Sequence, residues 1–504
     1  MAPSPEPSEQ PGTDTTPDTS RETPSIPEQR TASPDDTGGA PPPPPSTDPR
    51  APAESPEETI HLKAPGTGVR DTWRAMGPGI VAAMTGIGAS HIMHGPTAGA
   101  EFGYSLLWVI LFAYLLKYHA FEFAHRYTLA RGESVMEAYE RTGKRYGNWP
   151  LWYLVAQSLA NTFGIAGRAL GAGALLWAGL PFLPLPVWAA LVLLSSIVLL
   201  WIGRYKALEF AIKICVILFV VMVLLTFVLQ APPPAEYVAN LLPTLPPVAA
   251  MMLFGSMWGY FPTTLEVSTM QSNWAVDKKV GMVKVKELRA QGYNVEVDKD
   301  YLKNHLTLFR RDMKISYVMS FFTGMAFIIV GAAVLNPLGL VPAGDQMGIT
   351  IARVYTDFFG QWIFPIIIIG AAAALWSTVF TYFDGQARVF EEASVRLRKV
   401  WNKPGPRKLL YRGFQVLWLV AGTAIIVGMP EPIFIVQLAS VTALLFSPVL
   451  YWLNIKAIKD NFTEEDKLLM PSKFQFAWAW TGVSALVLVS VYFFYMQVLS
   501  PLFG

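Results

Sequence analysis

The chain carries one cysteine in 504 residues, Cys215, set in an apolar run. That excludes a disulfide framework and a cysteine-built metal cage. Charge is scarce as well: charged residues are 15% of the chain and hydrophobic residues 52%. The net charge of +2 says little, because the distribution of charge carries the signal. The apolar segments hold no Ser-His-Asp set, no paired-carboxylate centre and no HExxH zinc motif, so neither an enzyme nor a cofactor is expected. The N-terminus lacks the basic-then-apolar pattern of a cleaved signal peptide.

What is present divides into a polar leader and a long apolar remainder. Residues 1–62 are rich in Pro, Ser, Thr, Asp and Glu, with an unbroken proline run at Pro41–Pro45. Such a composition cannot bury a core and reads as a disordered cytoplasmic tail. Beyond it, windows of about twenty apolar residues, enough to cross the hydrocarbon core, give about eleven spans. They fall near Gly77–Pro96, Phe102–His125, Trp149–Trp177, Leu183–Gly203, Leu208–Gln230, Val248–Trp274, Ile315–Leu335, Gly360–Phe383, Leu409–Gly428, Ile433–Ile455 and Phe474–Leu499.

Loop charges alternate. Basic residues follow span two (Arg126, Arg131, Arg141, Lys144, Arg145), span four (Arg204, Lys206), span six (ten between Lys278 and Lys314), span eight (Arg388 through Arg412) and span ten (Lys456, Lys459, Lys467, Lys473). The intervening loops are nearly bare, with Arg353 alone in Pro337–Thr356. By the positive-inside rule the N-terminus is cytoplasmic and the C-terminus outside, in a plasma (inner) membrane, with the lipid bilayer as surroundings. Neither nucleic acid nor an obligate protein partner is expected. The charged stretch Asp277–Arg311 reads as a solvated cytoplasmic connector with some amphipathic helix character.

Two spans are interrupted. Gly77–Pro96 reads GPGIVAAMTGIGASHIMHGP, and Val248–Trp274 reads VAAMMLFGSMWGYFPTTLEVSTMQSNW. Glycines, hydroxyl residues and a proline break each near its middle. At membrane depth the freed carbonyl and N–H groups are tolerated only where they line a protein-walled site. Paired breaks in corresponding halves of a polytopic chain mark the central site of a secondary transporter for a small solute or ion. If spans one and six correspond, residues 77–230 and 248–455 are two five-helix repeats of inverted topology, with loop 277–311 in the second and a peripheral eleventh helix at 474–502.

Gly77–Pro78–Gly79 followed by Ala98–Gly99–Ala100–Glu101–Phe102–Gly103–Tyr104–Ser105–Leu106–Leu107–Trp108 resembles the first two helices of the Nramp metal-ion transporters. Gln271–Ser272, Gly385–Gln386 and Pro448 are further similarities, spread over the membrane domain. The resemblance implies an all-α integral membrane protein with the LeuT-like (APC superfamily) 5+5 inverted repeat, discontinuous helices one and six, and divalent metal transport by alternating access. The departures fall on the ligands. Where the family reads Asp-Pro-Gly-Asn, this chain has Gly88, Ala89, Ser90 and His91. Where it reads Met-Pro-His, the chain has Gly259, Tyr260 and Phe261, or in a shifted register Phe261, Pro262 and Thr263. The family's third-helix acids correspond to Ile165 and Arg168, and its tenth-helix Gln falls near Val441.

The substrate-binding candidates are Gly88, Ser90, His91, Gly259, Tyr260, Thr263 and Thr264. Coupling or gating candidates are His94, Glu122, Arg168, Glu266, Tyr382 and Asp384. For a metal, His91 is the best single candidate, as an imidazole suited to zinc, copper or nickel. The opposite charge logic is equally open. Half-helix N-termini carry partial positive charge, and Arg168 is suited to bidentate carboxylate binding. That combination describes a site for an anion or a carboxylate-bearing solute. Each residue also has a structural reading: Arg168 paired with Glu122 or Glu209, His91 bonded to a freed carbonyl, Glu122 and Arg126 as an i,i+4 salt bridge, and Asp384 as a cap. Lys117 clusters with His119, Glu122 and His125 toward the cytoplasmic end of span two. A non-transporting ligand sensor on the same fold is the alternative of a different class.

Overall fold

The computed structural model describes residues 59–75, 87–203 and 206–500. It is helical nearly throughout, as a chain with no water to satisfy its backbone must be. The elements are β1 (Thr59–Leu62), α1 (Val69–Ala75), a π-helical turn at Ser90–His94, α2 (Gly95–Phe102), α3 (Leu107–Arg131), α4 (Val135–Gly143), α5 (Trp149–Ala160) and α6 (Thr162–Gly179). Next come α7 (Leu185–Ile202), α8 (Lys206–Gln230), α9 (Met251–Tyr260), α10 (Val267–Asp277), α11 (Met282–Ala290), β2 (Asn294–Val297) and α12 (Tyr301–Val334). The chain continues through α13 (Met347–Phe359), α14 (Phe364–Leu397), α15 (Pro404–Gly428), α16 (Pro432–Asn461) and α17 (Lys473–Phe494).

Seven helical stretches among the described residues are long and apolar enough to cross a membrane. They correspond to spans two, four, seven, eight, nine, ten and eleven. The other four expected spans are those the chain interrupts or that run into residues outside the description. Span one begins in residues 76–86; span three is two helices meeting at Asn161; span five contributes its apolar part Ile214–Gln230; span six is α9 and α10.

Local chemistry sets the ends of these elements. Gly132 and Gly203 close α3 and α7 in the left-handed conformation, at φ of 62° and 69°, which a side chain adopts poorly. Ser472 begins α17 in a capping box with Gln475. Glycine also brings helices together: a Cβ on Gly99 of α2 would lie 2.2 Å from the Ile328 carbonyl oxygen of α12.

Three features depart from expectation. Thr59–Leu62, the end of the expected tail, is a strand pairing parallel to Asn294–Val297, with Ile60 opposite Val295. Asp277–Arg311 is therefore more than a connector. It folds as α11, β2 and the start of α12, around Val285, Leu288, Val295 and Tyr301, with Ile60 and Leu62 packed against them. Finally, Met347–Phe359, expected as bare loop, is the helix α13, with Met347, Ile351, Ala352 and Tyr355 buried.

Candidate functional site

Helix α9 stops because Pro262 has no N–H to continue the ladder. The Phe261 N–H donates to the Met257 carbonyl at 2.9 Å, and the next helix starts only at Val267. Residues 261–266 thus cross the middle of the fold as extended and turn backbone. Thr263 and Thr264 lie in this crossing, both buried, and the Thr264 hydroxyl is 2.5 Å from that of Tyr382. Glu266, immediately before α10, is also buried. Its carboxylate accepts from Asn161 Nδ2 at 2.9 Å and Gln157 Nε2 at 3.2 Å. Asn161, at the junction of the two helices of span three, thus holds this carboxylate.

On the first span, the Gly88 carbonyl accepts the N–H groups of His91 (3.2 Å) and Ile92 (2.9 Å), starting the π-helical turn. Gly88 abuts α14: a Cβ there would be 2.5 Å from Thr378 Oγ1. His91 is fully buried and turned toward α3 and α12. Its Nε2 lies 2.9 Å from the Ser320 carbonyl oxygen and 3.0 Å from the Tyr114 hydroxyl, while Nδ1 lies 2.8 Å from Ser90 Oγ. A carbonyl only accepts, so Nε2 carries a proton. Both ring nitrogens are engaged, but the carbonyl is that of Ser320 inside α12 rather than one freed by the break. His94 differs. It is fully buried, its ring is 5.7 Å from that of Tyr260, and neither nitrogen has a hydrogen-bond partner among the described residues.

Arg168 is 3% exposed and forms no ion pair with a described carboxylate. Its guanidinium carbon is 3.9 Å from the Tyr382 ring centroid and 4.8 Å from that of Tyr260. Nη1 has no hydrogen-bond partner among the described residues. A Cβ on Gly164 would lie 2.8 Å from Nη1, 3.1 Å from the Tyr260 hydroxyl and 3.2 Å from Asn161 Oδ1. These three polar groups converge on one glycine face. Glu122 pairs elsewhere: Oε1 accepts from Arg126 Nη2 at 2.6 Å and from Arg310 Nε at 2.9 Å. The Glu209 side chain lies outside the described residues. Asp384 accepts from Arg388 at 2.9 Å and from the Tyr411 hydroxyl at 2.6 Å, while Arg388 also reaches Asp277 at 2.8 Å. It clamps α14 on α10 and α15.

The structure thus brings Tyr260, Thr264, Glu266, Arg168, His94 and Tyr382 into one neighbourhood and places Glu122 and Asp384 in other networks. Asn161 and Gln157 were not singled out from the sequence. Lys117, expected toward the cytoplasmic end of span two, directs its ammonium instead to the break in span six. It donates to the carbonyls of Trp258, Gly259 (3.2 Å) and Phe261 (2.8 Å). The available signal was a lysine in the middle of an apolar helix, a costly position that marks a specific partner. Among the described residues no group of three or more His, Cys, Asp or Glu is placed to hold a metal ion.

A family model described as natural resistance-associated macrophage protein-like, Nramp, matches residues 79–496. An uncharacterised protein of Pasteurella multocida is 25% identical over 417 residues, covering 79% of this chain and 89% of that protein. A divalent metal cation transporter MntH of Mesorhizobium japonicum is 25% identical over 377 residues, covering 73% and 77%. Among solved structures, a mutant of the Eremococcus coleocola manganese transporter superposes with TM-score 0.59 at 15% identity, covering 88% of this chain and 90% of that one. MhsT in complex with L-phenylalanine superposes with TM-score 0.52 at 15% identity, covering 83% and 98%. These structures speak to the fold, and it is the expected one: an all-α, LeuT-like arrangement in the membrane with interrupted helices.

Proposed function

The chain belongs to the Nramp family, and from that premise we propose a secondary transporter that moves a small anionic, carboxylate-bearing solute by alternating access. The observation that carries the choice of solute is Arg168. Its guanidinium is buried with Glu266 as a nearby carboxylate but without a direct ion pair, and a carboxylate docking on it supplies that partner in a bidentate fit. The rings of Tyr260 and Tyr382 flank that charge and offer walls for an organic body. Thr263 and Thr264, ahead of the second half-helix of span six, add hydroxyl donors. A divalent cation in the same place meets the charges of Arg168 and Lys117, with Glu266 as the nearby carboxylate.

The second reading is divalent metal transport. It rests on the name of the Mesorhizobium relative, on the family, and on Glu266, which is buried beside the break. The repeats 77–230 and 248–455, the peripheral helix 474–502, the plasma-membrane location with a cytoplasmic N-terminus, and function without an obligate protein partner are parts of this proposal. Binding without flux would instead assign the chain to ligand sensing.

Flux into proteoliposomes, with manganese and cadmium beside a panel of small carboxylates and amino acids, tests the choice. Carboxylate uptake lost in Arg168→Ala supports the anionic solute. Metal uptake that survives Arg168→Ala and fails in Glu266→Gln overturns it in favour of the metal.

A further inference from the structure

The most unusual charge in the molecule lies beside the candidate site. Lys117 stands near the middle of α3, at 0% exposure. Its ammonium is directed at the end of α9, where the broken helix leaves carbonyls without N–H partners. Trp258, Gly259 and Phe261 all present their oxygens to it. An ammonium has three donors, and here three carbonyls receive them. The same helix end carries the negative pole of its dipole, which favours a cation in that position.

Three converging backbone carbonyls at a half-helix C-terminus are the oxygen chemistry that holds a small monovalent cation in a transporter with broken helices. In this chain the cation is covalently attached. We propose that Lys117 is a resident cation, its ammonium occupying the carbonyl end of α9 in place of a bound coupling ion, so that the transport cycle runs without sodium or potassium. The proposal rests on the chain being a transporter and not on which solute it carries. Lys117 acts here as a positioning residue: it sets the geometry of residues 258–261, from which the crossing to Thr263, Thr264 and Glu266 departs. It also excludes inorganic cations from those oxygens.

The test uses the full chain, in detergent for thermal melting and in proteoliposomes for flux, with sodium, potassium, methylammonium and choline exchanged at constant ionic strength. The wild type is expected to melt at one temperature in all four salts. Lys117→Ala is expected to melt lower in choline and to recover with methylammonium or with sodium or potassium, ions small enough for the vacated place. In vesicles, Lys117→Ala is expected to lose flux by about tenfold or more in choline, as befits a buried charged hydrogen-bond partner, and to become dependent on the added cation. Lys117→Met, which keeps the volume without the charge, is expected to be slow in every salt.

A saturable rise of the wild-type melting temperature with sodium or potassium overturns the proposal. So does a Lys117→Ala protein indifferent to all small cations. Where Lys117→Ala does not fold, the wild-type melting series together with Lys117→Met decides. The melting arm needs no solute, so it stands or falls separately from the choice between carboxylate and metal.

Discussion

Arg168 and Tyr382 are stacked face to charge, with the guanidinium carbon 3.9 Å from the ring centroid. The tyrosine hydroxyl is held at 2.5 Å by Thr264, in the crossing of span six. One side chain thus links the third span's charge to the sixth span's break. A cation over a desolvated ring gains up to about 2 kcal/mol, more than a tenfold effect on affinity. Tyr382→Phe keeps the ring and loses the link to Thr264; Tyr382→Leu loses both. The concentration dependence of carboxylate flux is expected to shift by about twofold in the first and tenfold or more in the second. Equal shifts would assign the effect to the hydroxyl.

The engagement of both His91 nitrogens predicts a role in holding the first break. His91→Ala is expected to lower the melting temperature, since it removes one hydrogen bond each from Ser90, Tyr114 and the Ser320 carbonyl, at 2.8 to 3.0 Å, while Tyr114 keeps Ser320 Oγ at 2.6 Å. Each hydrogen bond so lost costs about 0.5–1.5 kcal/mol. Calorimetric titration of manganese into the wild type is expected to show no heat that His91→Ala removes. A saturable binding isotherm lost in the variant would return His91 to the metal ligands.

Glu122 is fully buried and answers two guanidiniums, Arg126 at 2.6 Å and Arg310 at 2.9 Å. Glu122→Gln leaves both arginines with a neutral partner, and breaking a buried pair typically costs about 3–5 kcal/mol. Arg310→Gln is expected to cost less, because its side chain is 33% exposed and water replaces part of what is lost. Chemical denaturation of the two variants in one detergent gives the order directly.

Gly259 and Gly413 make a controlled contrast. A Cβ on Gly259 would sit 1.8 Å from the Ser440 carbonyl oxygen of α16, whereas Gly413 of α15 has nothing within 4 Å. Gly259→Ala forces α9 away from α16 and is expected to fold poorly, as measured by monodisperse yield. Gly413→Ala is expected to be neutral or stabilising by up to about 1 kcal/mol, the helix-propensity difference.

The β1–β2 pairing ties the segment before the first span to the loop after the sixth. Asn304 Nδ2 donates to the Pro65 carbonyl at 2.9 Å, and the Ala64 N–H donates to Asp298 at 2.7 Å. The Asp298 N–H donates to Leu62, and by the alternation of a parallel ladder the Glu296 N–H also faces β1, so Glu296→Pro removes a donor from the two-stranded pair and is expected to open it. Limited proteolysis between residues 59 and 68 should then accelerate severalfold, with the membrane helices intact. An unchanged cleavage rate would mean that the side-chain bonds hold the segment without the strand.

Sequence alone was enough for seven of the spans and for the break in span six. Those properties are local: hydropathy over a window and a proline without its N–H. Residues 76–86, the first half of span one, lie outside the described structure. Only the tertiary structure decided which charges meet. Glu122 was a possible partner for Arg168, and it is taken instead by Arg126 and Arg310, the latter 188 positions along the chain. Lys117 had the look of a cytoplasmic-end residue, and it reaches carbonyls 141 to 144 positions away. Asn161 gained its role from a carboxylate 105 positions later. The direction in which a helix turns each charge depends on how it crosses helices distant in sequence, and hydropathy along a single strand of residues holds no record of that crossing.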